Sequence, residues 1–200
     1  MNMRFPRARG NHLHSHGLTN PGAPRDEMSD RNPLNDLPAS ARALLRKRVQ
    51  PHWISPMLAT LAHKPFSREG WLFEPKLDGE RCLVFRRGDG VDLFSRNHKL
   101  LNLKYPELVT AFQLQKTASF IVDGEIATFE RGVTSFVKLQ QRMQVERPSV
   151  ELRRQVPVWF YAFDLLYLGS YDVRQIPLRY RKELLCQTLQ FNDPTFYRAS

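Results

Sequence analysis

Hydrophobic and polar positions change their spacing along this 200-residue chain. Residues 1–35 are rich in Arg, Asn, His, Gly and Pro, and their apolar residues follow neither the helical nor the strand period, which predicts a mobile tail. A short helix is predicted over 37–45, with Pro38 in its first turn, closing on the basic cluster 46–48. A solvated helix end is the simpler interpretation of that cluster, and contact with phosphates is the alternative.

From residue 51 onward, short apolar runs alternate with turns. Runs rich in β-branched and aromatic residues predict strands, and these runs are 71–74, 82–87, 91–96, 119–128 and 156–168. Gly88-Asp89-Gly90 predicts a three-residue hairpin turn between the second and third of them. Apolar spacing of 3.6 predicts helices that begin at Pro106, span 135–145 and hold the leucines of 178–189. A hairpin followed by mixed strands and helices predicts an α+β fold with a mainly antiparallel sheet.

Charge and composition narrow the class of protein. Thirty Lys and Arg against twenty Asp and Glu give a net charge of +10, which favours a polyanionic partner such as nucleic acid, a nucleotide or an acidic membrane surface. The two cysteines, Cys82 and Cys186, exclude a disulfide framework and a four-cysteine zinc site. No apolar run approaches the ~20 residues of a membrane helix, so we expect a soluble cytoplasmic protein with no membrane partner.

Candidate chemistry begins between Glu74 and Arg81, where a lysine, acidic residues, a glycine and an arginine share a strand-to-loop junction. A surface turn of alternating charges would explain this segment alone, because Lys, Asp and Gly are common in turns. Three further signals follow in order: Ser95-Arg96-Asn97, Val122-Asp123-Gly124-Glu125-Ile126 and Phe160-Tyr161-Ala162-Phe163-Asp164. Four signals in series favour a functional site over four unrelated turns.

Together these segments resemble the adenylation domain of ATP-dependent DNA ligases, in the nucleotidyltransferase superfamily that includes RNA ligases and mRNA capping enzymes. The superfamily signature Lys-x-Asp-Gly-x-Arg is matched without a gap by Lys76, Asp78, Gly79 and Arg81. Ile54-Ser55-Pro56-Met57-Leu58-Ala59 and Tyr105-Pro106-Glu107-Leu108 are closer to bacterial end-joining ligases than to capping enzymes. The resemblance spans about residues 54–185 and implies an ATP-grasp-like nucleotidyltransferase fold.

The resemblance also implies roles for individual residues. Lys76 is the expected nucleophile, which attacks the α-phosphate of ATP, expels pyrophosphate and holds AMP as a phosphoramidate. The expected nucleotide contacts are Glu74 at the adenine edge, Arg81 and Glu125 at the ribose hydroxyls, Arg96 near phosphate and Phe163 stacked on the purine. Glutamate accepts hydrogen bonds from hydroxyls, and the arginine fork offers parallel donors, so the residue types suit these positions. Without the resemblance, Phe163 would be interpreted as a core residue.

ATP and Mg²⁺ are the implied cofactors, and a nicked or broken DNA duplex is the implied partner. AMP would pass from the lysine to a DNA 5′-phosphate before a 3′-hydroxyl seals the strand. These implications place the protein among nucleoid-associated bacterial proteins of DNA repair and recombination.

A lysine amine attacks only when it is neutral, and in water at pH 7 that form costs about 4.6 kcal/mol. Simple ion pairs with Glu74 or Asp78 would favour the charged form, so we expect both carboxylates to point elsewhere or to be offset by metal. No residue is assigned to a metal. Two roles remain open for Asp123 and Asp164: each could hold a metal or water, or act as a capping carboxylate. The histidines at 12, 14 and 16 fit the polar tail better than a metal site.

Two later motifs of complete adenylation domains have no match here: a Glu-Gly pattern that serves the metal and a Lys-x-Lys pair that grips the α-phosphate. We therefore expect a basic polar tail with a short helix over 1–50 and a C-terminally incomplete adenylation domain over 51–200, with unpaired strand edges and exposed apolar surface. A missing C-terminal half or a repair partner would then supply the two unmatched motifs. An RNA ligase or capping-type enzyme, and a non-catalytic nucleotide- or DNA-binding remnant, remain open as alternatives.

Overall fold

The computed structural model describes residues 32–62, 64, 66–191 and 195–198. Most of the predicted tail, with the histidines at 12, 14 and 16, lies outside the described residues. The elements in chain order are a 3₁₀ helix (Pro33–Asp36), α1 (Ala39–Arg42), β1 (Arg46–Lys47), β2 (Glu80–Arg87), β3 (Gly90–Ser95), α2 (Pro106–Gln113), β4 (Ser119–Ala127), β5 (Phe129–Glu130), β6 (Val133–Thr134), α3 (Phe136–Met143), α4 (Val150–Gln155), β7 (Trp159–Leu168), β8 (Tyr171–Asp172), α5 (Leu178–Thr188) and β9 (Phe196–Arg198).

One sheet organises the fold, with the strand order β1-β8-β7-β4-β2-β3 and β9 added to β7. Neighbours along this path are antiparallel, and only the β7–β9 pair among the described strands is parallel. β5 and β6 form a separate two-stranded sheet. The predicted α+β class with a mainly antiparallel sheet is confirmed. None of the helices in the described part of the chain is long and apolar enough to span a membrane.

Alternation of side chains along the strands divides the core into two clusters, one on each sheet face. Cys82 and Val84 of β2 belong to the larger cluster, which α2 and α5 cover. Leu83 and Phe85 point the other way and join a smaller cluster, against which Trp53 packs. Each face of the sheet is therefore partly buried, and the smaller cluster leaves one end of its face available for polar groups.

The predicted hairpin forms with a tighter turn than expected. Arg87 pairs with Gly90, so Gly88 and Asp89 alone form the loop between β2 and β3. Gly88 has φ +61°, a left-handed conformation that two-residue hairpin loops require and that glycine adopts without strain.

The N-terminal segment differs from its prediction. The helix is confined to Ala39–Arg42, and Arg46–Lys47 forms a strand that pairs with β8 instead of ending the helix. Leu34 and Leu37 are 5% and 4% exposed and belong to the larger cluster. Their burial recruits residues 33–47 into the folded unit, so the boundary expected at residue 50 cuts through packed structure.

The strand predicted over 71–74 is wrong, because residues 71–78 form no strand. A strand needs a neighbour that pairs with its backbone groups, and none of the described strands runs alongside this segment. Its side chains are open to solvent accordingly: Trp71, Leu72 and Phe73 are each more than half exposed. This surface agrees with the exposed apolar area expected from the sequence.

Two irregularities shape β7. It begins at Trp159 instead of 156, because α4, which the sequence pattern did not predict, precedes it. Its pairing with β4 shifts twice, and Phe163 and Leu166 are the residues left without a register partner. Bulges of this kind re-aim side chains across a sheet.

Phe112 anchors α2 to the sheet and provides a test of the larger cluster. It is fully buried, with ring centroids 5.0 Å from Phe160 and 4.7 Å from Phe196. Phe112→Ala should lower the free energy of unfolding by about 3 to 5 kcal/mol, measured by urea denaturation, because a large cavity remains. Leu114→Ala, 72% exposed at the end of the same helix, is the control and should change it by less than about 0.5 kcal/mol. Equal effects would contradict the packing.

Candidate active site

Polar residues from β2, β4 and β7 meet on the sheet face of the smaller cluster. Arg81 lies two residues before Leu83 and pairs in register with Glu125 of β4. Asp123, two residues earlier in β4, shares that face because side chains alternate along a strand. The register of two strands thus brings three predicted or candidate residues together.

Arg81 is the centre of this group. Its Nε and Nη2 donate to the two carboxylate oxygens of Asp123 at 2.6 and 2.7 Å, and Nη2 also donates to the carbonyl of Met57 at 3.4 Å. The guanidinium carbon lies 4.4 Å from the centre of the Phe163 ring, within cation–π distance. Phe163 reaches this position from the first bulge of β7. The arginine is held from both sides, by a carboxylate and by an aromatic face.

The lysine-bearing segment crosses the edge of this group. Gly79 passes so close to β4 that a Cβ there would collide with the Ile126 carbonyl, so only glycine permits this approach. The Gly79 N–H donates to the Glu125 carboxylate, and Lys76 is close enough to attract the same carboxylate electrostatically. Asp78 N–H donates to Thr134 Oγ1 at 3.3 Å. Lys76 is therefore exposed but tethered within reach of Glu125.

The remaining predicted nucleotide contacts are Glu74 and Arg96. Glu74 forms an ion pair with Lys182 of α5, so its charge is balanced by a lysine other than Lys76. Arg96 directly follows β3 and is exposed, and the described residues offer it no hydrogen bond or ion pair. The structure brings Lys76, Arg81, Glu125 and Phe163 together, whereas Glu74 pairs with Lys182 and Arg96 follows the Ser95–Cys82 pair at the end of β3.

Both aspartates left open by the sequence are occupied by arginines. Asp123 binds Arg81, and Asp164 accepts 2.7 and 2.8 Å hydrogen bonds from Nε and Nη2 of Arg181. Among the described residues no three His, Cys, Asp or Glu side chains cluster as metal ligands would. Asp164 is thereby fixed to α5, which also receives the Glu74 contact.

Burial dominates the electrostatics of the two β4 carboxylates. Desolvation raises the pKa of Glu125 to about 7, the attraction of Arg81 and Lys76 and the Gly79 hydrogen bond opposing it. Burial likewise raises the pKa of Asp123, against the ion pair with Arg81. A carboxyl group that changes charge near neutral pH in a cluster with an arginine and a lysine is typical of functional sites.

Three of these contacts went unrecognised in the sequence: Asp123 with Arg81, Arg181 with Asp164, and Lys182 with Glu74. The first had a signal, because Asp123 and Glu125 stand two apart in a predicted strand and so share a face. The other two join residues of α5 to distant segments and left no signal in local spacing.

Glu125 makes stability depend on pH in a defined direction. Its folded pKa of about 7 lies above its usual value of 4.5, so the folded state retains a proton that the unfolded chain releases between them. Wild-type stability should therefore fall, relative to Glu125→Gln, as the pH rises from about 4.5 to about 7. Urea denaturation of both proteins across this range tests the sign, and a difference that stays constant would contradict the burial of this carboxyl.

Comparison with known proteins identifies the family. Residues 56–199 match the family described as ATP dependent DNA ligase domain. DNA ligase C1 of Mycolicibacterium smegmatis is 38% identical over 148 residues, covering 70% of this chain and 42% of the relative. DNA ligase C of Mycobacterium tuberculosis is 38% identical over 135 residues, covering 66% of this chain and 37% of the relative. The chain thus spans about two fifths of the length of these relatives.

A solved structure gives the same result. The crystal structure of the ligase domain from M. tuberculosis LigD superposes with a TM-score of 0.50 at 27% sequence identity, covering 64% of this chain and 38% of the other. The sequence matches and the structural match indicate the same family as the signature residues on the β2–β4 face of the sheet. The chain belongs to the ATP-dependent DNA ligase domain family, and within that family it resembles the bacterial end-joining ligases.

Proposed function

We propose that this domain performs the first step of DNA ligation, the transfer of AMP from ATP to Lys76. The neutral amine attacks the α-phosphorus, the bond from that phosphorus to the bridging oxygen breaks, and pyrophosphate leaves with the bonding electrons. The amine loses its proton as the N–P bond forms. A lysyl-AMP and pyrophosphate are the products.

The convergence of Lys76, Arg81, Glu125 and Phe163 at one end of the β2–β4 face supports this proposal most directly. Lys76 and Arg81 belong to the signature, which precedes Glu125 by more than forty residues. The pairing of β2 with β4 brings the signature and Glu125 together. An exposed lysine beside a partly buried carboxyl, with an arginine fork and an aromatic ring within reach, offers groups for phosphate, ribose and base.

Glu125 is suited to the ribose because it is already a hydrogen-bond acceptor, here for the Gly79 N–H. The ring of Phe163 is covered by Arg81. A purine that stacks on this face of Phe163 must displace the guanidinium from the ring, while Asp123 can retain it as an ion-pair partner. We propose that this exchange turns the remaining donors of Arg81 toward the nucleotide.

Mg²⁺ has no site formed by the described residues alone. Asp123 and Asp164 are each held by both prongs of an arginine, which leaves neither free as a ligand without breaking an ion pair. Because Mg²⁺ is commonly held mainly by substrate phosphates and water, we propose that it enters with ATP. It would neutralise the phosphate oxygens when bound.

We propose a DNA 5′-phosphate as the acceptor of the AMP, at a nick or a broken end. Membership of the DNA ligase family and the net charge of +10 support a DNA partner. This chain spans about two fifths of DNA ligase C1, so we propose that the residues that complete sealing lie in the part of such ligases that this chain does not span.

Labelling of the full chain with ATP carrying a radioactive α-phosphate, in the presence of Mg²⁺, tests the nucleophile. A covalent label is expected in the wild type and none in Lys76→Ala, because the attacking nitrogen is gone. Lys116→Ala removes an exposed lysine from the loop after α2 and should leave the labelling unchanged.

The outcomes separate the candidate functions. Labelling from GTP in preference to ATP would instead indicate a capping-type enzyme. If neither nucleotide labels a folded wild-type protein, the enzymatic proposal is contradicted. The remaining interpretation is then a nucleotide- or DNA-binding protein.

Arg96 tests the proposed phosphate contact. Since no described residue depends on it for a hydrogen bond, Arg96→Ala should leave the thermal unfolding midpoint nearly unchanged. The initial rate of labelling should nevertheless fall, by roughly 10²-fold if the guanidinium contacts a phosphate that gains charge in the transition state. An unchanged rate would remove Arg96 from the proposed site.

A further inference from the structure

The basic segment that forms β1 lies at one edge of the sheet. Arg46 and Lys47 constitute the strand and are exposed, and Arg48 continues the extended chain by donating its N–H to the Ser170 carbonyl at 2.8 Å. These three residues are called the β1 patch below. They precede residue 56, where the family match begins, so the match gives them no role.

Registers across the sheet decide which face Arg46 occupies. Arg46 pairs with Asp172, Asp172 with Tyr167, Tyr167 with Ile121, and Ile121 with Phe85. Residues opposite one another in antiparallel strands share a face, and the last three belong to the smaller core cluster. Arg46 therefore lies on the sheet face that carries Arg81 and Glu125, and Arg48, two residues on, follows it there.

The charge of the β1 patch is not neutralised within the described part of the chain. Asp172, the carboxylate opposite Arg46, is held by both prongs of Arg174, at 2.9 and 2.7 Å, and by Tyr167. Among the described residues Arg46 donates only to the carbonyls of Ala43 and Leu45, both through Nη1. From 37 to 68 the sequence contains no acidic residue and six Lys or Arg.

The distance from the candidate active site fits a nucleic acid duplex. Four strand spacings separate β1 from β2, about 19 Å, and four residues along β2 separate Phe85 from Arg81, about 13 Å. Arg46 and Arg81 are then roughly 23 Å apart on one face. A duplex carries one negative charge per ~1.7 Å of its axis, so about a dozen phosphates span that distance.

A lysine- and arginine-rich edge strand also protects a sheet against pairing with other chains, and that role needs no ligand. That protective role does not require Arg46 and Arg48 to lie on the sheet face of the candidate site. The strand registers indicate that they do lie there. We propose that the β1 patch is a phosphate-binding surface for the DNA duplex whose 5′-phosphate is held at the candidate active site. The proposal rests on the proposed function for the identity of the duplex.

The test measures binding of the full chain to a labelled, nicked DNA duplex at several salt concentrations, without ATP. Arg46→Gln with Arg48→Gln should lower the slope of log affinity against log salt by up to about two units, because each lost phosphate contact removes nearly one. At 0.15 M salt this corresponds to binding weaker by about thirtyfold. The matched control is Arg147→Gln with Arg154→Gln, which removes two exposed arginines near α4, beside α2 on the other side of the sheet.

An unchanged slope in the Arg46 and Arg48 variant, or equal losses in both double variants, would overturn the proposal. Loss of binding to anionic lipid vesicles in place of DNA would overturn it as well. The Arg46 side chain also donates hydrogen bonds to the chain after α1, so its loss could disturb the structure. Arg48→Gln alone removes no side-chain hydrogen bond of the described structure and should lower the slope by about one unit. Covalent labelling by ATP should be unchanged in these variants, so a failure of the β1 patch and a failure of Lys76 chemistry give different results.

Discussion

The register between β2 and β4 is the constraint on which the candidate site depends. It places Arg81 opposite Glu125, and the period of two then fixes Asp123 on the same face and Cys82, Val84 and Val122 on the other. A slip by one residue would carry the arginine into the larger cluster and apolar side chains into the site. The same hydrogen bonds that hold the core therefore position the polar group.

Charge within this site is balanced pairwise. Asp123 is almost fully buried, and without Arg81 it would be an uncompensated charge in a poorly solvated environment, which is strongly destabilising. Arg81 in turn lies on the face of Phe163, which the bulge in β7 turns toward it. The Gly79 N–H and the attraction of two cations favour the charged form of Glu125, and burial outweighs them. The site thus combines one firmly neutralised carboxylate with one that titrates near neutral pH.

The segment before β2 contrasts with this rigid arrangement. Residues 71–78 have no strand partner among the described residues and expose three large apolar side chains, yet the middle of the signature is anchored, at Asp78 on Thr134 and at Gly79 against β4. Lys76 stands on a tethered but irregular stretch, where few buried contacts oppose local rearrangement. A nucleophile that must approach a bound nucleotide is well served by such a connection, while the groups that bind the nucleotide remain on the sheet.

The sequence by itself determined the elements whose pattern is local and strong: the hairpin, α2, β4, β7 and α5, together with the residue types of the signature. It also determined the α+β class and the family resemblance. Tertiary structure decided what depends on partners distant in the chain. The run 71–74 has strand-like residues, but none of the described strands pairs with it. Arg46–Lys47 became a strand because the edge of β8 was available, and Leu34 and Leu37 of the expected tail joined the core. The ion pairs of Asp123 and Asp164 with arginines 42 and 17 residues away follow from strand register and helix packing; alternation in β4 indicates only which face Asp123 shares, and local spacing does not indicate the partner of Asp164.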